Sequence, residues 1–220
     1  MTSQPMRLKS LNVGLPRSVE WMGRTVETGI FKEAVQGRIR LGTLNLDGDR
    51  QADLTVHGGV DKAVYVYPAE HYAFWHDVYP EAELPWGMFG ENFTTEGLRE
   101  NEVHIGDCFR VGSALVEVSE PRMPCSKLGL RFGRNDVIKR FLESRRTGFY
   151  FRVLEQGEVG SADEFSFVPR GERALRIADV TELYVNKTAD AASLQRAVEC
   201  PALSESWRAY FAKRLEKLQA

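Results

Sequence analysis

Between Arg7 and Val168 glycines cut the chain into short runs rich in β-branched and aromatic residues, and after about Arg173 this rhythm stops. Many short strands joined by frequent turns build a barrel or a sandwich. The strand-like runs are Arg7–Val13, Thr25–Phe31, Leu54–His57, Ala63–Tyr67, Cys108–Val111, Ala114–Ser119, Phe149–Leu154 and Phe165–Val168, with Val159 in a further short run after Gln156-Gly157. Gly112-Ser113 suits a two-residue hairpin turn, because glycine accepts a positive φ without steric cost. Two helices interrupt the pattern. One is expected over Pro68–Val78, with Pro68 at the first helical position and Tyr72, Trp75 and Tyr79 on one stripe. The other starts near Asn135, a good N-cap residue, turns Val137, Ile138, Phe141 and Leu142 inward, and ends before Gly148.

Beyond Arg173 the spacing changes to helical. Asp179–Tyr184, Ala189–Val198 and Ser204–Leu218 read as three short helices joined at Asn186-Lys187 and Cys200-Pro201, the last with Trp207, Phe211, Leu215 and Leu218 on one face. The expectation is a mainly β protein. A closed or partly closed β-barrel domain with interspersed helices occupies residues 1–173, and a small three-helix unit, either a dimer contact or a lid, occupies residues 174–220.

A chain of 220 residues buries roughly 70% of the surface its unfolded form exposes, enough for a core without a metal or disulfide staple. With 29 Lys and Arg against 31 Asp and Glu, the net charge of -2 argues against a nucleic-acid polymer as partner. No apolar run approaches the roughly 18 residues of a membrane helix. No apolar stretch follows the basic residues near Met1, so no secretory signal is expected and a cytoplasmic location is the default.

Three cysteines, Cys108, Cys125 and Cys200, form no C-x-x-C pair, so neither a disulfide framework nor a zinc knuckle is expected. Cys108 reads as a small buried strand residue and Cys200 as part of an interhelix turn. Cys125 differs. It lies in Glu120-Pro121-Arg122-Met123-Pro124-Cys125-Ser126-Lys127-Leu128-Gly129, where two prolines stiffen the backbone and two cations flank the thiol. Such surroundings favour the thiolate, the form that attacks electrophiles and ligates soft metals. An inert cysteine in a proline-rich turn is the plain alternative.

Charge is unevenly distributed around it. From Pro121 to Arg152 nine basic residues face only Asp136 and Glu143, a net of +7 inside a chain of net -2. Arg122, Lys127, Arg131, Arg134 and Arg152 are candidates to hold an anion near the thiol; Lys139, Arg140, Arg145 and Arg146 fit a solvated helix face.

Two further stretches carry chemistry. In Val56-His57-Gly58-Gly59-Val60-Asp61-Lys62, paired glycines offer backbone amides to an anion, Lys62 reaches the same anion, and His57 is a donor, acid or metal ligand. The competing reading is an ordinary turn with a structural histidine. In Trp86-Gly87-Met88-Phe89-Gly90-Glu91-Asn92-Phe93, Glu91 and Asn92 either bind a heterocycle edge or orient a neighbouring loop. His71 and His76 stand five apart on a helix, about 140° around it, which is poor geometry for shared metal ligation. Signatures for serine hydrolases, P-loops, zincins and dinucleotide folds are absent.

Together the stretches Gln51-Ala52-Asp53, His57-Gly58-Gly59, Asp61-Lys62-Ala63, Phe89-Gly90-Glu91-Asn92 and Glu120-Pro121-Arg122 with Pro124-Cys125 and Lys127-Leu128 resemble the MOSC family, related to the C-terminal part of molybdenum cofactor sulfurases, and within it the YiiM-type members. The resemblance implies a barrel-like domain that binds the molybdenum cofactor (Mo-molybdopterin) and no pyridoxal phosphate, with Cys125 as metal ligand and catalytic centre. It further implies reduction of N-hydroxylated compounds, such as 6-hydroxylaminopurine, with electrons from a separate flavoprotein. On that reading Arg122, Lys127, His57, Gly58, Gly59, Lys62, Glu91 and Asn92 contact cofactor or substrate. A cysteine-persulfide sulfur carrier and a cofactor-delivery module without turnover are the alternatives.

Overall fold

The computed structural model describes residues 5–53, 58–171, 173 and 175–219. Leu54–His57, the third expected strand with His57 in it, lies outside the described residues. Among the described residues twelve strands form: β1 Arg7–Val13, β2 Arg17–Trp21, β3 Arg24–Thr28, β4 Glu33–Ala34, β5 Arg38–Leu41, β6 Val64–Pro68, β7 Phe93–Glu96, β8 Cys108–Val111, β9 Ala114–Pro121, β10 Phe149–Glu155, β11 Gly157–Gly160 and β12 Phe165–Val168. Six α-helices accompany them among the described residues: α1 His71–Val78, α2 Ser126–Phe132, α3 Asp136–Ser144, α4 Ile177–Val185, α5 Ala191–Val198 and α6 Glu205–Gln219. No described helix is long and apolar enough to cross a membrane.

Eight strands make one sheet in the order β12-β8-β9-β10-β6-β7-β1-β4. Neighbours run antiparallel except β6 and β7, which pair in parallel at Val66↔Phe93. The sheet curls back on itself. The chain entering β12 bonds to β1 through Leu8 N–H to Asp163 O (2.8 Å), Ala162 N–H to Leu8 O (2.7 Å) and Phe165 N–H to Met6 O (2.8 Å). The expected closed or partly closed barrel is thus a curled sheet whose β12 end meets β1 over a few bonds, with no continuous ladder closing it among the described residues.

Several local expectations change. Pro68 ends β6 opposite Thr95 instead of starting a helix, which begins at His71; a residue without N–H is tolerated at a strand end. The short run with Val159 is β11, which pairs with β5. Gly157 is required there because a Cβ would collide with the backbone at Ser113 and Ala114. Strands β2, β5 and β7 lacked a readable signal. The first two are short and mostly exposed on alternate residues, while β7 (Phe-Thr-Thr-Glu) looks polar and is buried by the parallel pairing. Asn135 precedes α3, but its side chain makes no cap bond. On α6, Trp207, Phe211 and Leu215 are buried and Leu218 is exposed.

Two apolar clusters result. Leu8, Leu11, Val64, Val66, Val116, Phe149 and Phe151 fill the curled sheet, and the same cluster continues into Val180, Leu194, Trp207 and Phe211 of the C-terminal helices. The second is aromatic. It joins Tyr65, Tyr67, Tyr72, Trp75, Phe89 and Phe141 beneath one end of the sheet, with Tyr67 stacked 4.3 Å from Phe89.

Candidate functional site

A cleft enclosing about 100 Å³ opens above the aromatic cluster. Its walls come from distant segments: Thr28 at the end of β3 with Gly29, Ile30 and Lys32 after it, residues 50–53, Gly58 and Lys62, Tyr65 on β6, the turn at Phe89-Gly90, Tyr150 on β10, and Arg122 to Lys127.

Cys125 stands at this cleft, half-buried, at the cap position of α2 with extended backbone (φ −126°, ψ 173°). The preceding Pro121 completes β9 as the partner of Phe149, and Arg122 N–H bonds Gly148 O at 3.3 Å. β9 therefore delivers the proline segment to the cleft, and α2 carries the chain away. The helix was not expected, because Gly129 interrupts its short apolar pattern. That glycine lies where a Cβ would press on the Asn135 side chain as α2 packs beside the start of α3.

Arg122 is only 5% exposed. Its guanidinium lies 5.3 Å from the centre of the Tyr65 ring and 5.0 Å from that of Phe141, and Nη1 is buried without a hydrogen-bond partner. Burial opposes its charge, yet interactions with Tyr65 and Cys125 outweigh that and hold its pKa above the ordinary value. A buried cation with an open donor beside a thiol suits an anionic ligand.

Five cations line the cleft, Lys32, Arg50, Lys62, Arg122 and Lys127, against Asp53 as the lining carboxylate among the described residues. Lys62 sits on the short 3₁₀ turn Val60–Lys62 with Glu120 3.7 Å away. Glu120 is buried, which pushes its pKa up, while the Ser204 hydroxyl and Lys62 pull it down. Lys32, 6% exposed, pairs with fully buried Asp49; burial lowers its pKa and Asp49 opposes the change.

The structure sorts the sequence-derived candidates. Cys125, Arg122, Lys127, Lys62, Gly58 and Asn92 line one cleft; Gly59 and Glu91 are not among its lining residues. Gly58 and Gly59 both have positive φ, 104° and 91°, a conformation suited to glycine. Glu91 faces inward. Its carboxylate accepts from Gly87 N–H (2.9 Å), Phe89 N–H (3.0 Å), the Tyr72 hydroxyl (2.5 Å) and the Thr94 hydroxyl (2.9 Å). Burial raises its pKa, and bonds from Tyr72 and Gly87 oppose the rise. Glu91 thus shapes the turn that presents Phe89 and Gly90. Asn92 likewise ties strands together, accepting from Tyr65 N–H at 3.1 Å and donating to Asn12 O at 3.2 Å.

The other candidate arginines lie elsewhere. Arg152 pairs with Asp61 and Glu117 and donates to Ala202 O, tying β10 to the C-terminal helices. Arg134 pairs with Asp136, and Arg131 lies 4.8 Å from the centre of the Phe31 ring. On the neighbouring face Lys139, Arg140 and Arg145 pair with Glu143, Asp136 and Glu182. Most of the nine basic residues are therefore held in ion pairs or ring packing, but only Asp61, Glu117 and Glu182, which meet Arg152 and Arg145, come from outside the segment and offset its excess. What reaches the cleft from that segment is Arg122 and Lys127.

Tyr65, Tyr150, Lys32 and Arg50 escaped the sequence reading. The tyrosines had a faint signal, a polar-tipped ring in each of two strands. The basic pair had none, since Lys32 and Arg50 share the cleft with the thiol only through the tertiary fold.

Among the described residues, histidines do not gather. His71 Nε2 meets Glu100 at 2.7 Å. No three His, Cys, Asp or Glu converge among the described residues, so a metal at Cys125 would need further ligands of its own.

The comparisons with known proteins agree with this picture. The model described as "MOSC domain" matches residues 53–166, and the one described as "YiiM-like, 3-alpha helix domain" matches residues 177–218. The uncharacterized protein YflK of Bacillus subtilis is 41% identical over 99% of this chain and 98% of its own length. A protein named "Reductase" from Gibberella moniliformis is 35% identical over 68% of this chain, which spans 27% of that protein. The crystal structure of YiiM from Geobacillus stearothermophilus superimposes with a TM-score of 0.81 at 37% identity, over 96% of this chain and all of that one.

Proposed function

Because this chain belongs to the MOSC domain family, we propose that it binds the molybdenum cofactor beside Cys125 and reduces N-hydroxylated compounds there. One observation carries the reading: a half-buried thiol and a buried guanidinium with an open Nη1 share a cleft lined by five cations and one carboxylate among its described residues.

The residues present fit the group. Thiolate suits a soft metal, and the lining cations suit a cofactor bearing a phosphate tail and a dithiolene. Arg122, Lys127 and Lys62, with the Gly58 backbone, would hold the anionic parts, and Tyr65 and Phe89 offer flat apolar walls to a heterocycle. When bound, the cofactor supplies a two-electron redox centre. The net reaction takes R–NH–OH, two electrons and two protons to R–NH2 and water. The N–O bond breaks, an N–H bond forms, and a separate flavoprotein supplies the electrons. The chain's own part is to bind and orient: Arg122 keeps a fixed positive charge against the thiol, and Glu91 holds the Phe89-Gly90 turn in place.

The test uses protein purified from cells able to make the cofactor. Elemental molybdenum, fluorescence of the released oxidised pterin, and turnover of 6-hydroxylaminopurine with a flavoprotein donor are measured for wild type and Cys125→Ala. We expect near-stoichiometric molybdenum and turnover in wild type, and loss of both in the variant. Full molybdenum and activity in Cys125→Ala would sink the assignment, and a wild type with persulfide but no molybdenum would favour sulfur transfer.

A further inference from the structure

Two tyrosines line the cleft, and their hydroxyls are treated differently. Tyr65 Oη donates to Thr147 O at 2.9 Å. Tyr150 Oη faces the Arg122 guanidinium, which donates toward it, while its own O–H meets no acceptor among the described residues.

The ring is nevertheless held in place. Tyr150 stands opposite Tyr65 on β6 and opposite Glu120 on β9. Its ring centre lies 5.3 Å from that of Tyr65, tilted by 41°. Burial pushes its phenol up to about 12, with Arg122 opposing, so the hydroxyl stays protonated near neutrality. A guanidinium facing the phenolic oxygen also makes its O–H a better donor. The cleft therefore presents an oriented hydroxyl beside Cys125 and Arg122 whose O–H meets no acceptor among the described residues.

We propose that Tyr150 touches the substrate, its hydroxyl donating a hydrogen bond to the oxygen of the N–OH group. This rests on the reductase reading above. It goes further by naming what separates substrate from product: R–NH–OH offers Tyr150 an acceptor, and R–NH2 lacks that oxygen. A polar group placed to meet a ligand hydroxyl disfavours the analogue without it, because the donor is then left unpaired.

The experiment compares 6-hydroxylaminopurine with adenine, its reduced counterpart, by calorimetry on holoprotein. Tyr150→Phe keeps the ring against Tyr65 and deletes only the hydroxyl. We expect wild type to prefer 6-hydroxylaminopurine and Tyr150→Phe to lose about tenfold of that preference. Adenine binding, molybdenum content and pterin content should be unchanged. In turnover the loss should fall on kcat/KM for the N-hydroxylated base. Should the Phe variant lose its fold by circular dichroism, Tyr150→Met provides the same deletion, and Tyr150→His, which restores a donor, should recover part of the preference. An unchanged preference in a folded, molybdenum-loaded variant without the hydroxyl overturns the role of Tyr150 and leaves the reductase reading standing. A wild type that lacks molybdenum and binds neither base overturns both.

Discussion

The Arg122 guanidinium lies 5.3 Å from the centre of the Tyr65 ring and interacts electrostatically with Cys125, so one buried cation links the aromatic floor of the cleft to its thiol. Arg122→Met keeps much of the apolar stem and removes the charge. A cation–π contact of this kind is worth about 1–2 kcal/mol, so the fold should survive with a modestly lower urea midpoint. Pterin recovered per chain should fall severalfold. A variant that retains wild-type pterin content would show that this cation does not help hold the cofactor.

The three cysteines should react unequally. Cys108 is buried in β8, and burial followed by Glu117 pushes its thiol up to about 11; Cys200 is also buried. Iodoacetamide on the native protein near pH 8 should modify Cys125 first, with Cys108 and Cys200 following only on unfolding. Peptide mass spectrometry over a time course reads this. Equal early labelling of Cys108 would contradict the burial.

Asp49 holds Lys32 inside the wall of the cleft, and its second oxygen, Oδ2, is buried without a partner. Removing one member of a buried pair strands the other charge, at about 3–5 kcal/mol. Asp49→Asn should lower stability by that order in chemical denaturation, and Lys32→Met with Asp49→Leu should recover much of it. A single variant as stable as wild type would mean that the pair is solvated in solution.

Glu120 gives a pH signature. Burial raises its folded-state pKa above the ordinary 4.5, so the folded chain keeps that proton longer than the unfolded chain does. Its contribution is present below pH 4.5 and is lost as pH rises through the raised value, with a slope of at most about 1.4 kcal/mol per unit. Glu120→Gln cannot titrate. Relative to this variant, wild type should lose stability as pH climbs from the ordinary glutamate value, and parallel urea curves across that range would refute the burial argument.

Gly148→Ala should be severely destabilising. Gly148 adopts φ +64°, and an added Cβ would strike Val66 O on the neighbouring strand. Because Gly148 O also receives Arg122 N–H, the site should be disturbed along with the fold. A loss of more than about 2 kcal/mol is expected, and a thermal midpoint equal to wild type would contradict it.

Strands with local pattern were readable, and those defined by their neighbours were not. β1, β8 and β12 fall where alternation and glycine turns place them. β7 is Phe-Thr-Thr-Glu, polar in composition, and becomes a strand because β1 and β6 flank it. The site behaves similarly. Cys125, Arg122 and Lys127 announce themselves within six residues of chain, whereas Tyr150 and Lys32 enter only when β10 and the segment after β3 are brought alongside.

The sequence by itself determined the strand-rich body, the helical C-terminal unit and one distinctive thiol, because turn chemistry, residue periodicity and proline stiffness are local properties. Tertiary structure alone decided which charges meet that thiol. Pairing of β9 with β10 and of β10 with β6 sets Arg122, Tyr65 and Tyr150 around Cys125. Most other arginines of the basic segment are matched by carboxylates or packed on a ring, and they are not among the lining residues of the cleft. Charge acts through distance in space, and distance in space is set by strand register, which a one-dimensional count of cations cannot contain.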